Sequence, residues 1–154
     1  MDNVRTFLVV VDDTPESRVA MRFAALRAAH VDGRVTLLHT MPVTEFMQWG
    51  GVQELIEAEA KANAEALLAG VADELFTLSG QRPGMIVRQG EPTAAVLETV
   101  AADPSIRALV LGAAPKGAPG PLVAFFSGER AGTLPCLVMI VPGSLNDARL
   151  AELA

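Results

Sequence analysis

The stretch Phe7–Ser17, FLVVVDDTPES, joins the end of one element to the start of another. Phe7–Val11 are apolar without alternation, as in a strand buried on both faces of a parallel sheet. Two adjacent acids, Asp12 and Asp13, end the run. Thr14 then supplies an N-cap oxygen, and Pro15 is a first helical residue whose missing N–H costs the helix nothing. The strand thus delivers carboxylates to its C-terminal tip, where open α/β sheets bind their ligands.

Four further apolar runs follow: Val35–His39, Met85–Val87, Ala108–Leu111 and Leu137–Val141. Helical patterns separate them. The first carries Val19, Ala20, Phe23 and Ala24 on one face and stops near Asp32-Gly33. The second repeats Val52, Leu55, Ile56, Ala60, Ala64, Leu67, Leu68, Val71, Ala72, Leu75 and Phe76 at three-four spacing, with Gly80 placed to end it. Glu54, Glu57, Glu59 and Glu65 lie off that stripe and read as a solvated face rather than a metal cluster. A third helix follows Pro92 through Val96, Leu97, Val100 and Ala101, and a short fourth follows Pro121. The alternation predicts a single-domain α/β fold: a doubly wound, five-stranded parallel sheet of order 3-2-1-4-5. We read residues 1–143 as that domain and 144–154 as a loose or helical tail.

Composition narrows the function. The 154 residues carry a formal charge of −6 with only twelve Lys and Arg, which leaves no basic surface to replace the counterions of nucleic acid. The single cysteine, Cys136, excludes an internal disulfide, suits a reducing compartment, and reads as a core thiol among apolar neighbours. The N-terminus has no signal-peptide core and no run approaches the ~20 apolar residues of a membrane span, so a soluble cytoplasmic protein is expected.

Paired acids at a first strand tip also occur in phosphorylatable receiver domains. That reading needs an Asp at the third strand tip and a Lys after the last strand. Here the third strand ends MIVRQGEP and the last ends MIVPGS, with neither. The segments Phe7–Ala29 and Val35–Val43 instead resemble the opening of a universal stress protein, on Val11, Asp12 and Thr14 for the first motif and Leu37, Leu38 and His39 for the second. RQGEPTAAVLETV, IRALVLGA and LPCLVMIVP fall in that family's order, so the resemblance covers roughly residues 5 to 142.

The resemblance implies an adenine nucleotide alpha hydrolase-like fold and an ATP or AMP site built on Asp12, Thr14, Thr40, Met41 and Gly112. It also implies a homodimer in which the last strand, Leu137, Val138, Met139, Ile140 and Val141, pairs with its copy across a two-fold axis. Nucleotide-binding members carry Gly-x₂-Gly-x₉-Gly-Ser/Thr after the fourth strand. Here Gly112 matches the first position, but Pro115 stands at the second and cannot donate a backbone bond. Ala124-Phe125 stand near the final pair, and Gly128-Glu129 lie too close to the last strand. The motif is broken.

Two readings of the replacing loop, Pro115–Pro121, stand. Lys116 with the Gly117 and Gly120 backbone forms a smaller anion site, or the loop caps the pocket or supports a subunit contact. His39 reads as a hydrogen-bonded structural histidine and His30 as a partner of its helix dipole. Phe46, Met47 and Trp49 cover the pocket mouth or a partner, or staple the second helix. No catalytic constellation and no metal-ligand spacing is found. The primary expectation is a stress-response protein that acts by binding, without turnover, through a degenerate nucleotide pocket. The alternative is a genuine adenine-nucleotide binder using the Pro/Gly loop, and a weak hydrolase comes third.

Overall fold

A computed structural model describes residues 4–42 and 50–154, with residues 50–53 described by backbone only. Five parallel strands, β1 (Thr6–Val10), β2 (Arg34–Met41), β3 (Gly84–Gln89), β4 (Ile106–Ala113) and β5 (Leu137–Pro142), form one sheet of order β3-β2-β1-β4-β5. The connecting helices are α1 (Pro15–Val31), α2 (Gly50–Ser79), α3 (Pro92–Ala102) and α4 (Pro121–Phe126), and α5 (Asp147–Leu153) ends the chain. A short 3₁₀ turn, Glu129–Thr133, precedes β5.

The unbroken apolar run of β1 feeds two cores. Phe7, Val9 and Val11 face one side, with α1, α2 and Leu150 of α5. Leu8 and Val10 face the other, with Val96 and Val100 of α3 and Val123 and Phe126 of α4. Strand side chains alternate between faces, so a strand covered on both sides needs apolar residues at every position. Since α1 and α2 lie on one face and α3 and α4 on the other, the winding reverses between β1 and β4. That is the switch point at which such sheets bind ligands.

Several expectations shift. Ala101 is exposed; Ala95 and Thr99 share the buried face of α3 with Val96 and Val100. On α2 the buried stripe runs only from Ala64 to Leu75: Leu55 before it is 71% exposed and Phe76 after it 43%. Thirty residues of helix span ~45 Å, roughly twice the length of the six-residue β3 beside it, so the ends of α2 overrun the sheet. Cys136 is half-buried rather than enclosed, because it leads into an edge strand with no neighbour beyond it, and burial still pushes its thiol pKa up. Of the two readings of the tail the helical one applies to Asp147–Leu153, and it is docked: Leu150 is buried against the α1 side, and an Arg27 guanidinium N–H donates to the Ala154 carbonyl at 3.2 Å. Gly80, at φ +75°, ends α2 as its position predicts. Phe46, Met47 and Trp49 lie outside the described residues.

Candidate functional site

At the carboxyl tips of β1, β2 and β4 lies a cleft of about 240 Å³. Val10, Val11 and Asp12 from β1, His39 and Thr40 from β2, and Leu111 and Gly112 from β4 form its base. The first turn of α1 (Thr14, Glu16, Ser17), Pro92 of α3, and Pro119–Val123 around the start of α4 form its rim. The volume falls just short of the ~300–1,000 Å³ of sites that enclose a drug-sized ligand.

The β1–α1 turn is stitched locally. Asp12 Oδ1 accepts from the Thr14 backbone N–H at 2.9 Å and from the Thr14 hydroxyl. Thr14 Oγ1 in turn accepts the Ser17 N–H at 3.3 Å as the N-cap of α1. The buried Ser17 hydroxyl donates to the Asp12 carbonyl at 2.9 Å. His39 Nδ1 lies 2.7 Å from the Val11 carbonyl oxygen and ties the tips of β2 and β1 together, the hydrogen-bonded role expected of it. Gly112 is seated against the backbone of Glu16 so closely that any side chain there would strike it.

Four of the expected site residues, Asp12, Thr14, Thr40 and Gly112, therefore converge on one cleft. Three do not. Met41, one residue past Thr40, is absent from the cleft lining and lines a neighbouring cavity of about 390 Å³ with Asp13, Asn63 and Leu67, which shares His39 with the cleft. Lys116 and Gly117 are exposed and absent from the cleft lining. The Ala114 N–H bonds the Pro119 carbonyl at 3.1 Å, and Gly117 turns at φ +74°, so residues 115–118 pinch off as a loop that projects into solvent. Only Pro119 onward returns to the rim.

Glu16 and Glu91 escaped sequence reasoning. Glu16 lines the cleft beside Asp12. Glu91 caps α3, its two carboxylate oxygens accepting from the Thr93 and Ala94 N–H groups at 2.9 Å each, and these bonds hold its carboxyl below the ordinary range. The signal available was an acid flanking a helix-opening proline, Glu91 immediately before Pro92 and Glu16 immediately after Pro15.

Residues 3–142 match the universal stress protein family, and the chain belongs to it. Solved structures show the same fold at low identity. The universal stress protein UspA from Lactobacillus plantarum is 19% identical, with a TM-score of 0.71 over 92% of this chain and 99% of that one. A universal stress protein in complex with cAMP is 16% identical, with a TM-score of 0.66 over 93% and 100%. The universal stress protein from Archaeoglobus fulgidus in complex with dAMP is 16% identical, with a TM-score of 0.59 over 90% and 97%. No curated protein matches the chain. Among the described residues no helix is long and apolar enough to cross a membrane.

Proposed function

We propose that this chain is a cytoplasmic stress-response protein that acts by binding and self-association, without turnover, and that its cleft holds an adenine ligand through a degenerate nucleotide pocket. The observation that carries the reading is the convergence of Asp12, Thr14, Thr40 and Gly112 at the β1/β4 switch point, with Lys116 and Gly117 held away from it. Complexes of two similar folds with cAMP and dAMP support the ligand class. The lone half-buried cysteine suits a reducing compartment. The reading without turnover is supported by the lining: Ser17 directs its hydroxyl to backbone carbonyls and His39 is tied to Val11, so neither is set up as a nucleophile paired with a base.

Self-association is proposed through β5. It is an edge strand with no charged residue, and Leu137 is 66% and Ile140 41% exposed. Pairing Leu137, Val138, Met139, Ile140 and Val141 with a second copy would satisfy both edges in one isologous contact.

Isothermal titration with ATP and AMP, with and without Mg²⁺, tests the ligand. Asp12→Ala is expected to weaken binding by about 1–3 kcal/mol, the range for a hydrogen bond to a charged group. Unchanged affinity in a folded variant removes Asp12 from the site. Micromolar Mg-ATP binding that is lost without the γ-phosphate favours the alternative, a genuine nucleotide binder with an intact phosphate site.

A further inference from the structure

We infer that the cleft selects the uncharged form of its ligand, a nucleoside over its phosphorylated derivatives; this rests on reading the cleft as an adenine site. Helix starts are where folds of this kind hold phosphate, through orphan backbone N–H groups and the positive end of the dipole. Three helices, α1, α3 and α4, begin around this cleft, and each lacks its first N–H donor.

Proline is the opening residue of all three, Pro15, Pro92 and Pro121, so none offers its first N–H. On α1 the Ser17 N–H is taken by Thr14 Oγ1. On α3 the Thr93 and Ala94 N–H groups are both taken by the Glu91 carboxylate, which also sets a negative charge at the dipole's positive end. The start of α4 is the exception, with no side-chain cap on its N–H groups, but its six residues align only a short run of peptide dipoles.

Charge points the same way. Asp12 and Glu16 line the cleft, and among its lining residues there is no Lys or Arg. A phosphate entering here exchanges water for two carboxylates and a largely apolar wall of Val10, Val11, Leu111, Leu122 and Val123. A nucleoside loses little by the same transfer, and its ribose hydroxyls can donate to the Asp12 and Glu16 carboxylates.

Isothermal titration of the full chain with adenosine, AMP and ATP at neutral pH, with and without Mg²⁺, decides it. Adenosine is expected to bind roughly tenfold or more tightly than either nucleotide under both conditions. Glu16→Gln is expected to narrow the adenosine-to-AMP ratio several-fold, and so is added salt in the unmodified protein, which needs no variant to fold. AMP or ATP binding as tightly as adenosine, with or without Mg²⁺, overturns the selectivity while leaving the adenine reading in place. A ratio indifferent to both Glu16→Gln and salt overturns the electrostatic cause. Failure of all three ligands to bind removes the adenine reading itself, and the selectivity with it.

Discussion

Gly112 on β4 lies directly beneath the Glu16 carbonyl of α1, and a Cβ on it would sit 2.5 Å from that carbonyl carbon. Backbone, not a flexible side chain, occupies the space, so the first turn of α1 would have to lift off the sheet. Gly112→Ala is expected to cost on the order of 3 kcal/mol or more, the upper part of the overpacking range. The measurement is a shifted urea midpoint at unchanged slope. An alanine variant as stable as its parent would show that α1 can move here.

Glu74 clasps α1 to α2 with both carboxylate oxygens, accepting from Arg22 Nε at 2.6 Å and Arg18 Nη1 at 3.0 Å. The three side chains are about one-third exposed, so water weakens the attraction. Glu74→Gln is expected to destabilise by about 1 kcal/mol in low salt. The difference should fade in ~1 M salt, where screening is nearly complete. A cost that persists in high salt would assign the contact to packing instead.

Acid should loosen the start of α3. Bonds from Thr93 and Ala94 depress the Glu91 pKa in the folded chain, so its capping contribution is complete above the unfolded value. It is lost as pH falls through the folded one. The unmodified protein should therefore melt above Glu91→Gln near pH 6, with the gap narrowing as acid protonates the carboxylate below its ordinary range. A gap independent of pH would mean that the cap works equally well uncharged.

Ile140 is the β5 residue on which to test self-association. Val141 is 4% exposed and belongs to the core, so a lysine there would unfold the chain rather than probe its edge. Ile140→Lys is expected to convert a dimer to monomer in sedimentation with the fold intact. If the unmodified protein already sediments as a monomer at micromolar concentration, the β5 interface does not exist.

Local signals were legible and closures were not. Thr14-Pro15, Pro92 and Pro121 announce their helices because capping depends on neighbours in the chain, and each helix begins where its proline stands. The apolar runs locate all five strands, but β2 continues to Met41 and β4 to Ala113, because Thr40 and Gly112 interrupt the apolar pattern while the backbone pairing runs on. Lys116 reads as either an anion ligand or part of a pocket cap until the Ala114–Pro119 hydrogen bond closes the loop and turns it outward. Gly112 was visible as a site glycine, yet its closest neighbour is Glu16, 96 positions earlier, and only the folded chain brings the two together.

The three helix-opening prolines also bear on how a ligand arrives. Each fixes φ near −65°, Pro92 and Pro121 at the cleft rim and Pro15 between the lining residues Thr14 and Glu16, and the entropy this removes is lost mostly from the unfolded chain. The rim is therefore largely shaped before anything enters it, and a ligand has little backbone left to order. Association should follow a single exponential whose rate rises in proportion to ligand concentration, with no plateau marking a slow rearrangement.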